Sequence, residues 1–161
     1  MRSQDRGNGI HLYAAKGADI AFNTVTQTRD GIYIDTSNDN VIRNNEFHHL
    51  RYGVHYMYSY RNTVTSNYTH DTRTGYALMQ SKFLTVTNNT SENDQNYGIL
   101  MNFITNSTIK NNQIISVSYG RNMAGGAIKG AEGKALFMYN SLYNNIEGNT
   151  LKQSELGIHL T

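Results

Sequence analysis

Gly9-Ile10-His11-Leu12, Gly31-Ile32-Tyr33-Ile34, Gly53-Val54-His55-Tyr56, Gly75-Tyr76-Ala77-Leu78 and Gly98-Ile99-Leu100-Met101 are five copies of one pattern, their glycines 22, 22, 22 and 23 residues apart. Ala135-Leu136-Phe137-Met138 and Gly157-Ile158-His159-Leu160 continue it, again 22 apart. Fourteen residues after each of the first six starts stands an Asn: Asn23, Asn45, Asn67, Asn89, Asn112 and Asn149. Three residues before that Asn comes Ile20, Ile42, Val64, Val86, Ile109 or Ile146. Two residues after it comes Val25, Phe47, Thr69, Ser91, Ile114 or Leu151. A fixed period of this kind is the signature of a repeat architecture.

Each unit reads as two or three short strands of alternating polarity, joined by Gly, Asn, Ser and Asp turns. The unit is too short for a helix pair and has no apolar stripe of helical period. It also lacks the Leu spacing of a leucine-rich repeat. What remains is one coil of a parallel β-helix (a solenoid), each coil stacking on the next at about 4.8 Å. The chain is therefore expected to be all-β, with about six coils in a single domain over 1–161. An Asn at one position of every coil can form an amide ladder up the stack, as in cross-β assemblies. The ladder is expected to sit in turns with left-handed backbone angles, which Asn tolerates.

Composition agrees. Of the 161 residues, 21 are Asn and none is Pro. In a solenoid nearly every strand has neighbours on both sides, and Pro cannot donate to such a ladder. The absence of Cys excludes disulfides, thiolate nucleophiles and thiolate metal sites. A formal charge of +2 with scattered Lys and Arg argues against a nucleic-acid groove. No apolar run is long enough to span a bilayer as a helix. No signal peptide opens the chain and no polar cap closes it, so a segment of a longer β-helix is expected. Residues 120–134, rich in Gly, add 15 residues between the fifth and sixth units and read as an inserted loop.

Alternation puts the first and third residues after each Gly inward and the second and fourth outward. The second-position column is His11, Tyr33, His55, Ala77, Leu100, Phe137 and His159. The fourth is Tyr13, Asp35, Met57, Met79, Asn102, Tyr139 and Thr161. Met57 and Met79 are then neighbours on adjacent coils, with His55 one pleat away. Imidazole and thioether ligands without thiolate suit Cu(I). On these residues alone the same columns read first as an apolar docking surface. A further column, seventeen residues after Gly, stacks His48 on His70 with His49 and Asp71 beside them. His48, His70 and Asp71 form a weaker candidate set for a divalent metal. His11 and His159 read as solvated. Only one acid, Asp35, stands in the main outward columns, so the paired carboxylates of polysaccharide-cleaving β-helices are missing. A carbohydrate-binding alternative would use Tyr13, Tyr33 and Tyr139 as stacking platforms.

Two runs carry a more specific likeness. Leu50-Arg-Tyr-Gly-Val-His-Tyr-Met-Tyr-Ser59 and Gly133-Lys-Ala-Leu-Phe-Met-Tyr-Asn-Ser141 resemble the NosD family, as do Gly7-Asn-Gly-Ile-His-Leu-Tyr13 and Asp39-Asn-Val-Ile-Arg-Asn-Asn45. That family lies within the CASH group of right-handed β-helices. The resemblance covers essentially the whole chain. It implies a non-enzymatic periplasmic protein that helps assemble the copper centres of nitrous oxide reductase. It implies as partners an ABC transporter ATPase with its membrane subunit, and a lipoprotein copper chaperone. No short ligand motif transfers with it, so the candidate residues rest on the columns.

Overall fold

Three β-rich stretches per coil, each only a few residues long, give three strands per turn. In the computed structural model, which describes residues 5–118 and 133–161, they stack as a parallel β-solenoid of about six turns with no helix. One face carries the Gly-initiated strands: β1 (Ile10–Tyr13), β4 (Asp30–Asp35), the second half of β6 (Glu46–Met57) and of β8 (Tyr68–Lys82), β11 (Tyr97–Thr105), β14 (Lys134–Tyr139) and β17 (Leu156–Leu160). A second face holds β2 (Asp19–Ala21), β5 (Val41–Arg43), β7 (Thr63–Thr65), β9 (Thr85–Thr87), β12 (Thr108–Lys110) and β15 (Asn145–Glu147). The third holds β3 (Thr24–Thr26), the first halves of β6 and β8, β10 (Thr90–Asp94), β13 (Gln113–Val117) and β16 (Thr150–Ser154).

Every strand pair is parallel and keeps the sequence period: Ile10 pairs with Ile32, Ile32 with Val54, and Val54 with Tyr76. Between β12 and β15 the register jumps to 37 residues, Ile109 pairing with Ile146, because the additional chain lies between them. Residues 119–132, which include most of the expected loop at 120–134, lie outside the described residues.

The inward residues are those the alternation marks. Ile32, Ile34, Val54, Tyr56, Tyr76, Leu78, Ile99, Met101 and Leu136 are buried, joined by Ile42, Val64, Val86, Ile109, Phe47 and Ile114 from the other faces. The Gly column exists for lack of space. A Cβ on Gly31 would lie 2.6 Å from Phe47 Cδ1 and 2.5 Å from the Gly53 carbonyl oxygen. Gly and the residue after it are thus both turned inward, and the residue before Gly faces outward.

The amide ladder forms. The Nδ2 group of Asn23, Asn45, Asn67 and Asn89 each donates to Oδ1 of the Asn one coil on at 3.0 Å, and Asn112 to Asn149 at 2.9 Å. The same Oδ1 accepts the backbone N–H of the preceding ladder Asn, and the second Nδ2 hydrogen reaches back to a carbonyl, as from Asn67 to Ile42 O at 2.9 Å. The expectation that the ladder Asn itself is left-handed is corrected. The positive φ belongs to the residue before it: Phe22, Asn44, Ser66, Asn88, Asn111 and Gly148. That turn leaves the Asn free to aim its amide along the stack. Two further ladders run at the other corners. Ser37, Ser59 and Ser81 accept backbone N–H groups at 2.9–3.1 Å, and Asn40 and Asn62 do so at 2.8 and 3.0 Å.

One buried carboxyl departs from this neutral pattern. Asp94 receives hydrogen bonds from Thr72 Oγ1 at 2.6 Å and from Ser91 Oγ. Burial penalises its carboxylate, and the two hydroxyls counter only part of that, so its pKa is raised well above the ordinary range.

Two outcomes are expected. Asn67→Ala strips partners from four buried groups and should cost about 2–4 kcal/mol of stability, against under about 1 kcal/mol for the half-buried Asn23→Ala, in chemical denaturation. Asp94 holds its proton more tightly folded than unfolded, so its favourable contribution is present at acid pH and is lost as pH rises through its folded pKa. Asp94→Asn should therefore stabilise the protein by about 1–2 kcal/mol near pH 8, with the gain shrinking toward pH 4. A gain independent of pH would contradict this.

Candidate metal centres

The outward side of the Gly-initiated face carries the first candidate set. Because Gly breaks the alternation, the residue before it joins the second-position residue on that side. Asp30, from the start of β4, and His55, from the next coil, meet there with His55 Nδ1 3.0 Å from Asp30 Oδ2. Arg51 closes on the same carboxylate in a fork, its Nε 2.9 Å from Oδ1 and a terminal nitrogen 2.8 Å from Oδ2. Asp30 is fully buried. Burial alone would raise its pKa, but the hydrogen bonds from His55 and Arg51 outweigh this and hold it below the usual carboxylate value. Arg51 also lies 4.4 Å over the Tyr52 ring, and His55 sits against Tyr33 (4.8 Å between centroids) and Tyr52 (5.0 Å, edge-on).

This cage fixes the chemistry of His55. An ionised Asp30 can only accept, so Nδ1 carries the hydrogen, and in the neutral imidazole the lone pair lies on Nε2. His55 Nε2 is buried and has no hydrogen-bond partner among the described residues. Two residues along the strand, Met57 pairs with Asp35. Since Tyr56 pairs with Leu78, Met79 is the next rung beneath Met57. Both thioethers are half-buried. Met79 borders a small apolar cluster of Tyr97, Leu100 and Phe137, with Tyr139 at its edge.

That cluster corrects the reading of the outward columns as an exposed apolar surface. Ala77, Leu100 and Phe137 are buried at 0, 6 and 1% exposure, Leu100 and Phe137 packing with Tyr97, which the break at Gly brings outward. Among the described residues, most exposed aromatics stand elsewhere, and Phe22, Tyr58, Phe83, Phe103 and Tyr143 lie at left-handed corners. Tyr58, Tyr60, Phe103 and Leu142 line an open groove along one corner. The expectation of solvated histidines holds for His11 and is corrected for His159. His159 is half-buried 5.1 Å from Phe137, and His11, though exposed, lies 4.9 Å from Tyr33. Of the three tyrosines proposed as sugar platforms, Tyr33 is covered by His11 and His55 and Tyr139 packs 5.3 Å from Phe137. Tyr13 alone of them is 70% exposed.

The second set lies on the third face. His48 and His70 pair across β6 and β8, with rings parallel to 6° and 4.6 Å apart. His70 is held at both nitrogens, Nδ1 by Asp71 at 2.7 Å and Nε2 by Glu46 at 2.9 Å. Burial works against its protonation, but the two carboxylates prevail and raise its pKa above the ordinary value. His48 Nδ1 is 2.7 Å from His49 Nδ1. Glu46, His48 and His70 each bring one donor atom to within 4.8 Å of the others. Tyr68 stacks on His70 and donates to Glu92 at 2.6 Å, which pushes its hydroxyl up to about 12. The columns paired His48 with His70 but missed Glu46, which precedes His48 by two on the same strand side. They also missed Asp30 and Arg51, because strict alternation assigns Asp30 to the interior.

The whole chain, residues 1–161, matches the family described as "Periplasmic copper-binding protein (NosD)". It is 59% identical over 161 residues to the "Probable ABC transporter binding protein NosD" of Stutzerimonas stutzeri and 62% identical to the protein of the same name from Pseudomonas aeruginosa. Both matches cover all of this chain and 37% of the relative, so the chain spans little more than a third of their length. No helix among the described residues is long and apolar enough to cross a membrane. With the family match running through every coil and both candidate centres, the chain belongs to the NosD family.

Proposed function

We propose that this chain is a copper-handling segment of a periplasmic accessory protein, and that it holds Cu(I) through His55 Nε2 together with the thioethers of Met57 and Met79. The observation that carries the reading is the buried, unpartnered Nε2 of an imidazole whose other nitrogen is tied to a buried carboxylate. Metal-binding histidines use that arrangement, a carboxylate on one ring nitrogen orienting the other toward the ion. Soft, neutral thioethers select Cu(I) over zinc or calcium. The family's description as copper-binding supports the same ion.

The donor set suits a carrier rather than a resident cofactor. None of the three ligands is anionic, so the ion's charge is met only at one remove, by Asp30 through His55, and Arg51 draws on the same carboxylate. An ion held in this way exchanges readily with a protein offering thiolates. The cargo would serve assembly of the copper centres of nitrous oxide reductase, received from a lipoprotein chaperone and delivered in concert with an ABC-type ATPase and its membrane subunit. The family resemblance supports this chain of partners, and the relatives' name as ABC transporter binding proteins supports its transporter member. A binding role in place of catalysis accords with that name.

Anaerobic competition against a Cu(I) chelator should find one tightly held ion lost in the Met57→Ala/Met79→Ala double variant and weakened at least about 100-fold by His55→Gln. Asp30→Asn, which touches no ligand atom of the ion, should weaken it about 10–100-fold. Unchanged Cu(I) affinity in the double variant would overturn the proposal.

A further inference from the structure

We infer that Glu46, His48 and His70 form a second cation site, separate from the His55 face and built for a divalent transition ion of the Zn(II) or Cu(II) class. The geometry points there independently of the Cu(I) reading. The three side chains come from two adjacent coils, on strands β6 and β8, whose parallel register fixes their relative height. Their donor atoms already lie within 4.8 Å of one another. To bind Zn(II) at roughly 2.0–2.2 Å the stacked His48 and His70 rings tilt about their side-chain bonds, so that both lone pairs converge on one ion beside Glu46.

Around these three stands a second ring of partners. Asp71 holds His70 Nδ1 at 2.7 Å, and His49 approaches His48 Nδ1 at 2.7 Å, with Thr26 Oγ1 at 3.3 Å. Each candidate imidazole therefore has its Nδ1 engaged, which directs Nε2 to the ion. In the ion-free arrangement His48 stacks on His70, and Tyr68 also stacks on His70. Glu46 Oε1 already rests 2.9 Å from His70 Nε2, and an ion seated between them takes the place of the hydrogen that joins them.

Donor chemistry separates this site from the first. Two imidazoles and a carboxylate, without sulfur, favour borderline divalent ions and disfavour Cu(I). Three protein ligands leave a fourth position open, and the side chains are partly solvent-exposed, so the ion would be accessible to an incoming ligand.

The test is titration of the whole chain with Zn(II) alone, read by calorimetry, with Co(II) substitution read by its visible absorption. One Zn(II) per chain is expected, with affinity falling at least tenfold in Glu46→Gln and in His70→Asn and about tenfold in the outer-ring variant Asp71→Asn. His55→Gln and the Met57→Ala/Met79→Ala variant should leave Zn(II) binding unchanged. These side chains all face away from the solenoid core, and unchanged thermal melts should accompany the losses. Absence of Zn(II) binding by the parent chain, or full binding by both Glu46→Gln and His70→Asn, would overturn the inference. So would loss of binding in His55→Gln, which would place the ion at the first centre.

Discussion

Everything in this molecule depends on coils repeating in register. Backbone ladders set the spacing, but parallel hydrogen bonding alone would allow one coil to slip along the next. The buried Asn column removes that freedom. Each ladder amide satisfies a backbone N–H, a carbonyl and the neighbouring amide at once, so a displaced coil would bury several unpaired polar groups together. The Gly column acts from the other side. It admits the inward residue sixteen positions later, and a side chain at that point would collide with it and with the next coil's backbone. One column enforces height and the other enforces closeness of packing.

Once register is fixed, side chains far apart in sequence become stacked neighbours, and function can be written as columns. Asp30 and His55, 25 residues apart, meet on one face; Glu46, His48 and His70 meet on another. The two sets differ in chemistry because they differ in surroundings. The first is held within an aromatic cage and offers one nitrogen beside thioethers. The second is hydrophilic, partly exposed and ringed by carboxylates, and its oxygen and nitrogen donors suit harder ions. A rigid scaffold supports both, since ligands on adjacent strands keep their spacing without help from loops.

The fold was legible because a period repeated six times leaves no competing interpretation, and inward Ile, Val and Leu at alternating positions fall where alternation says. The Asn ladder was legible for the same reason. What escaped was local. Alternation fails at Gly31, where two successive residues turn inward, and that single break hides Asp30 and thereby the anchor of His55. The same break at Gly98 brings Tyr97 outward against Leu100 and Phe137, so a column that reads as an exposed apolar strip is in fact packed. The left-handed corners were misassigned by one residue. The Asn signal marks the amide's hydrogen bonds, while the backbone bend falls on the preceding position, which accepts residues as unlike as Phe22 and Ser66.

The central claim is that copper is held by sulfur and nitrogen together on the Gly-initiated face. X-ray absorption spectroscopy of the chain loaded with one equivalent of Cu(I) tests it most directly. The account predicts a Cu(I) edge with two sulfur scatterers and one imidazole nitrogen in the first coordination shell. A shell of nitrogen and oxygen alone, without sulfur, would contradict it.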